Sequence, residues 1–309
     1  MNERTKAKEN PFPDLHYNAI GPYLKKQFGC RVAKLSLDGG FTCPNRDGSK
    51  GTGGCTFCSE DGSGRFTGPL VLQKARLASK WPEDTKYIAY FQNFTGTYAP
   101  ADRLRSLWEE ALALPGCAGL AVATRPDCLP GDVLDLLSEF RERTFLWVEL
   151  GLQTAREETA DAFNRCYKNA DFEDAMRNLS SRGIKTVIHL ILGLPGEDKQ
   201  QVLSSAEYVS SFRPFGVKLH MLHLMEGTAM GEQYKKTPFP LPGKDEYVSL
   251  VCDILERMPE EITVHRVTGD APRSDLIAPL WTGDKRAILR AIQQEFRRRD
   301  TFQGCRLQK

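Results

Sequence analysis

Short apolar stretches alternate with amphipathic ones from about residue 30 to residue 300, and this alternation limits the architectures open to the chain. The apolar stretches 33–37, 87–92, 120–124, 145–152, 186–192, 217–224 and 262–267 have the length and composition of buried strands. Between them, apolar residues recur at helical spacing: Leu104, Leu107, Trp108 and Ala111; Val133, Leu136, Leu137 and Phe140; Phe172, Ala175, Met176 and Leu179; Tyr247, Leu250, Val251 and Ile254. Asp198 with Gln201 three residues on reads as a capping box opening another helix. Repeated strand–helix units imply parallel pairing. The expectation is an α/β fold, a partial (βα)6 barrel of the TIM type, with an N-terminal extension over 1–30, a core over 31–260 and a C-terminal extension over 261–309 packed on the barrel.

In such barrels the loops after the strands gather at one face, where functional groups are to be sought. A cysteine cluster follows the first expected strand. Gln92 and Asn93, Thr124, Glu149 to Gln153, Gly193 to Glu197, and His220 with His223 lie at or near the ends of the next five.

Three thiols, Cys43, Cys55 and Cys58, sit in a Gly-rich loop with gaps of eleven and two residues. Three thiolates can ligate three irons of a cubane cluster and leave the fourth iron open to an exogenous ligand. A zinc site completed by a histidine and a redox Cys-x-x-Cys pair are the competing readings. A structural zinc site usually draws on two close pairs, and no second pair exists; a redox pair normally opens a helix. The chain has nine cysteines, an odd number, and 1–10 has no apolar core of a secretory signal. Reduced thiols or metal ligands in a cytoplasmic protein are therefore expected rather than a disulfide framework. No apolar run is long enough to cross a bilayer, so no membrane partner is expected. Net charge is only +2, yet 284–309 holds eight Lys or Arg against three acids, a weak signal for a polyanionic partner.

The loop, with the aromatic Phe57 just before the last cysteine, resembles the radical S-adenosylmethionine (SAM) superfamily signature. The gap of eleven and the run Cys43-Pro-Asn-Arg-Asp-Gly48 resemble one subfamily, as do Thr124-Arg-Pro-Asp-Cys-Leu-Pro130, Glu149-Leu-Gly-Leu-Gln153, Gly193-Leu-Pro-Gly-Glu197 and Thr268-Gly-Asp-Ala-Pro-Arg273. The resemblance implies a [4Fe-4S] cluster on the three cysteines that cleaves SAM to a 5′-deoxyadenosyl radical, and a one-electron donor such as flavodoxin or ferredoxin. It implies SAM contacts from the backbone around Phe57 and from Gln153 and Arg165, whose spacing is similar to that of coproporphyrinogen-oxidase-like enzymes. Gln92 and Asn93 stand where the superfamily commonly has Gly-Gly-Glu, and His189 where relatives are often acidic; both depart from the pattern. Thr124 and Glu149 complete the expected cofactor contacts, with Glu149 equally readable as an acid paired to a neighbouring Arg. Cys166 stands where the subfamily has Gly.

The subfamily is connected with tRNA wobble-uridine maturation, in which a carboxymethylaminomethyl group is cut back to aminomethyl. On that reading tRNA is the partner, and His220, His223, Arg266 and Arg273 are candidates for proton transfer or carboxylate binding. A radical SAM enzyme acting on a small metabolite, and a zinc-stabilised RNA-binding protein without catalysis, are the alternatives.

Overall fold

The computed structural model describes residues 9–12, 14–60, 62, 68, 81–269 and 271–307. The first eight residues of the expected N-terminal extension, Asp270 of the segment 268–273, and the last two residues of the basic tail lie outside the described residues.

Helix α1 (Ile20–Phe28) leads into β1 (Val32–Leu37), and β2 (Lys86–Phe91) follows the cluster loop. The chain then runs α2 (Ala101–Leu112), β3 (Cys117–Thr124), α3 (Gly131–Arg143), β4 (Phe145–Gln153), α4 (Glu157–Ala162), α5 (Asn169–Ser181), β5 (Lys185–Leu192), α6 (Lys199–Ser211) and β6 (Gly216–Met221). After it come β7 (Leu224–Met225), α7 (Ala229–Lys236), α8 (Lys244–Arg257), β8 (Thr263–Arg266), β9 (Leu276–Ala278), a 3₁₀ turn (Leu280–Gly283) and α9 (Lys285–Arg299).

Seven strands form one sheet in the order β1-β2-β3-β4-β5-β6-β8, every pair parallel. This is the expected partial barrel, a curled sheet whose edges are β1 and β8. All seven expected strands are in it. The stretch expected as one strand over 217–224 divides, because β6 stops at Met221 and Leu224–Met225 pairs antiparallel with β9. Asp198 caps α6 as expected, accepting from Gln201 N at 2.9 Å while Gln201 Oε1 accepts from Asp198 N at 2.8 Å.

Alternation along each strand separates two apolar layers. Leu120, Val122, Leu146, Val148, Leu150, Ile188 and Leu190 face outward and share the main core with Trp108, Phe140, Phe172 and Met176 from the helices. The intervening residues Ile88, Tyr90, Ala121, Ala123, Trp147 and Val187 form a separate inner cluster with Phe145 and Phe215. Trp147 packs edge-on to Phe145 at 5.8 Å and to His265 at 5.5 Å, so aromatic rings close the N-terminal end of the barrel. Toward the strands' C-terminal ends the inner face turns polar, with Glu149, Gln153, His189, Lys218 and His220 in the places that follow.

Candidate active site

The polar layer begins at Glu149, which is wholly buried on β4. Tyr90 Oη donates to its Oε2 at 2.6 Å and Trp147 Nε1 to its Oε1 at 2.9 Å. Lys218 Nζ donates to the same carboxylate and, at 2.8 Å, to Tyr90 Oη. His189 Nε2 lies 2.8 Å from Oε2, and Lys34 Nζ lies 3.8 Å from Oε1. The partners of this acid are thus two lysines and a histidine rather than an arginine. Burial opposes its charge, but Lys218 and Lys34 hold the carboxyl well below the usual range. Burial lowers the pKa of Lys218, against the pull of Glu149. Burial, helped by Lys218, brings His189 down to about 4, and burial with His189 and Arg266 takes His220 well below its ordinary value.

Above this floor lies a cavity of about 260 Å³. Cys43, Cys55 and Cys58 line its upper wall together with Phe57. The cluster loop is pinned to the turn after α4: Asn164 Nδ2 donates to Gly54 O at 2.8 Å and Thr52 O at 3.0 Å, and Asn45 Nδ2 donates to Asn164 O at 2.5 Å. Asn45 Nδ2 is also 3.8 Å from Cys55 Sγ. A Cβ on Gly51 would fall 2.2 Å from Asn45 Oδ1 and 2.8 Å from Cys166 Sγ, so the loop requires glycine there. Cys166 has φ +59, a conformation that favours glycine and accounts for the residue expected at that position. Arg46 Nη2 donates to Cys58 O at 3.2 Å and Ser59 O at 2.6 Å, which fixes the backbone around the last cysteine.

The other motifs acquire physical reasons here. Gln153 ends β4 at φ +71, and a Cβ on Gly151 would approach its Nε2 to 2.7 Å; the glycine leaves room for the amide to fold back over the cavity. Glu197 accepts from Thr154 Oγ1 at 2.5 Å, joining the 193–197 turn to the end of β4. Arg125 makes a two-point ion pair with Asp127, at 2.9 Å and 3.0 Å, and Lys50 Nζ adds a third contact at 2.9 Å. Arg125 and Arg165 stand 4.8 Å and 4.6 Å from the Tyr167 ring centroid. Gly269 has room for no side chain, since a Cβ would lie 2.1 Å from the His223 ring.

Of the residues singled out from sequence, Cys43, Cys55, Phe57, Cys58, Gln92, Thr124, Glu149, Gln153, Arg165, His189, His220 and Arg266 line this one cavity. His223 lines an adjoining cavity of about 230 Å³ that shares Phe57, Cys58, Gln153, His189 and His220 with it. Asn93 is buried behind the lining, and Arg273 is exposed, donating to Gly283 O at 3.1 Å and 3.2 Å. Arg165 is 1% exposed and donates to Leu152 O, Thr154 O, Tyr167 O and Asn169 Oδ1, so most of its donors already hold protein acceptors. Phe57 both lines the cavity and packs on Phe163 at 5.2 Å. Sequence reasoning missed Tyr90, Lys218, Lys34, Arg46, Arg125 and Tyr167. The strand alternation that marks Glu149 as inward-facing also marks Tyr90 and Lys218, and was the available signal.

The Radical SAM superfamily model matches residues 46–209, more than half of the chain. The chain belongs to the radical SAM superfamily. A Radical_SAM C-terminal domain matches residues 214–298. Bacillus subtilis YtqA is 46% identical over 307 residues, covering 96% of this chain and 95% of that one. A tRNA uridine(34) acetyltransferase of Dehalococcoides mccartyi is 28% identical over 162 residues, 50% of this chain but only 34% of its own length. The solved structure of Methanocaldococcus infernus Elp3 with residues 1–46 deleted superimposes with a TM-score of 0.68 at 19% identity, over 88% of this chain and 64% of that one. That likeness concerns the fold.

As a radical SAM enzyme the protein uses a [4Fe-4S] cluster and SAM. The residues present fit that pair of groups. Burial, then the neighbouring sulfurs of Cys58 and Cys43, pushes the Cys55 thiol up to about 12, so its thiolate needs a cation close by. Among the described residues no three His, Cys, Asp or Glu groups converge as one metal ion requires. No described helix is long and apolar enough to cross a membrane.

Proposed function

We propose that the protein matures a tRNA wobble uridine, cutting a carboxymethylaminomethyl group back to aminomethyl. A hydrogen atom is taken from the methylene beside the nitrogen. The carbon radical gives one electron to a one-electron carrier protein and loses the N–H proton to become an imine, and water hydrolyses the imine to the amine and glyoxylate. The observation that carries this reading is the cationic lining of the cavity. Among the described residues lining the cavity, Lys218, Arg266, Arg46, Arg125 and Arg165 meet one carboxylate, Glu149, with His220 on the same wall. Such a lining favours an anionic substrate group, and a carboxylate is the anion this substrate carries. Similarity to a protein named for tRNA uridine 34 supports the RNA half of the reading.

On this reading Cys43, Cys55 and Cys58 hold the cluster, and Gln153, Thr124, Gln92 and the backbone at Phe57 receive SAM. When bound, the reduced cluster supplies the electron that cleaves SAM and so provides the hydrogen-abstracting radical. His220 Nε2, buried and without a hydrogen-bond partner, is placed to bind the substrate carboxylate or take its proton. His220 is neutral at pH 7 and offers one donor and one acceptor.

Comparison of the nucleosides in tRNA from cells with and without the gene tests this function. Carboxymethylaminomethyl-uridine is expected to accumulate on deletion; an unchanged wobble-uridine profile would remove the substrate assignment.

A further inference from the structure

Several arginines on the outer helices are held in ion pairs, Arg105 with Glu139, Arg143 with Glu139 and Glu109, and Arg177 with Asp174, while Arg103 and Arg257 donate to backbone carbonyls. Helix α9 is different. Its core stripe Ile288, Ile292 and Phe296 is buried, and on a second flank Arg298 and Arg299 pair with Glu295, Arg299 also reaching Asp253 and Glu256 on α8. Arg286, Arg290 and Arg297 fall on a third flank, at spacing i, i+4 and i+11, and all three are exposed. Among the described residues no carboxylate lies within ion-pair distance of any of them.

We infer that this flank of α9 is the surface on which the RNA backbone lies, its three guanidinium groups meeting successive phosphates. The inference rests on the tRNA reading above and assigns it a place. The stripe extends ~16 Å along the helix axis, enough to meet a few nucleotides of one strand. Its beginning lies toward the cavity mouth. The turn before α9 follows β9, which pairs with β7, and Met225 of β7 lines the cavity that adjoins the site. Arg273, exposed and bound to Gly283 O just before the helix, extends the positive charge in that direction. A nucleotide entering the cavity would leave its neighbouring phosphates at the head of the stripe. The apolar face of α9 is buried in the protein and unavailable as a membrane wedge, which separates this helix from an interfacial one.

The experiment measures affinity of the full-length protein for bulk tRNA as a function of salt, comparing wild type with a variant carrying Arg286→Gln, Arg290→Gln and Arg297→Gln. Glutamine matches arginine in helix propensity, and thermal unfolding verifies that the variant is folded. A second variant, Arg105→Gln, Arg143→Gln and Arg177→Gln, removes the same charge from ion-paired sites. The stripe variant is expected to bind on the order of tenfold more weakly and to lose about two to three units of salt slope, while the paired-site variant stays close to wild type. Equal loss in both variants, or none in the stripe variant, overturns the surface assignment and leaves the tRNA reading standing. Wild type that binds no tRNA overturns both. Unchanged tRNA affinity with slowed SAM cleavage from an acidic flavoprotein donor assigns the stripe to that donor and overturns the RNA surface.

Discussion

Lys218 of β6 and Glu149 of β4 form an ion pair inside the barrel, reaching across β5, beneath the cavity where the cysteines gather. The pair is one link in a set that also includes Tyr90, Trp147, His189 and Lys34. Removing Glu149 takes the one carboxylate from two buried lysines, whereas removing Lys218 leaves the carboxylate its contacts with Lys34, His189, Tyr90 and Trp147.

Glu149→Gln leaves two ammonium groups facing a neutral amide, whereas Lys218→Met leaves the carboxylate still paired with Lys34. Urea unfolding is therefore expected to show a loss of about 3–5 kcal/mol for Glu149→Gln and a smaller one for Lys218→Met. Equal stability of wild type and Glu149→Gln would show that the network is not a structural element.

Stability should fall on mild acidification. Burial lowers the pKa values of His189, His220 and His265, His189 to about 4, against an unfolded value near 6.5. A depressed folded pKa means stability that is full above the unfolded value and lost as pH falls toward the folded one. As pH falls below the unfolded value toward about 4 the unfolded chain takes up a proton on His189 that the native one does not, with His220 and His265 acting in the same direction, a slope of up to ~1.4 kcal/mol per pH unit for each such histidine. Unfolding free energies measured across that range check it; a flat profile would place these histidines in contact with solvent.

Much of this architecture was readable in the sequence, for reasons that show where reading stops. Strand and helix stripes such as Leu120–Val122 and Phe172–Met176 are set by local periodicity, and the structure has them where the periodicity put them. Cys43, Cys55 and Cys58 announced themselves by chemistry, and Gln153 and His220 by their places at strand ends. Lys218 did not, because a lysine among apolar neighbours reads as a strand-end charge until its partner on another strand is known. Arg165 shows the reverse: its spacing suggested a cofactor ligand, and its contacts with Leu152 O and Thr154 O appear only once the chain is folded.

Gly51→Ala tests the cluster loop. The added methyl must displace Asn45, whose amide holds both Asn164 O and Cys55 Sγ. Iron content after anaerobic reconstitution is expected to drop severalfold with circular dichroism unchanged. Cys166→Gly, which relieves a residue at φ +59, is expected to shift stability by no more than about 1 kcal/mol and to leave iron content intact. Full iron loading in Gly51→Ala would mean that Asn45 plays no part in holding the loop.

Asp127→Asn removes the carboxylate that Arg125 and Lys50 share, in a place where the acid side chain is 3% exposed. A loss of about 3 kcal/mol is expected in thermal or chemical unfolding. Because Arg125 also donates to Arg165 O at 3.1 Å, disorder should spread to the turn carrying Arg165 and register as faster amide exchange there. Exchange unchanged in that turn would separate the two arginines.

The measurement that bears most directly on the site is metal analysis of the anaerobically reconstituted protein together with its products from SAM. About four irons with matching sulfide, and 5′-deoxyadenosine with methionine formed under reducing conditions, are the predicted result, with both lost in Cys43→Ala, Cys55→Ala and Cys58→Ala. A single zinc, or a cluster and SAM cleavage that survive loss of any of these three cysteines, would contradict it.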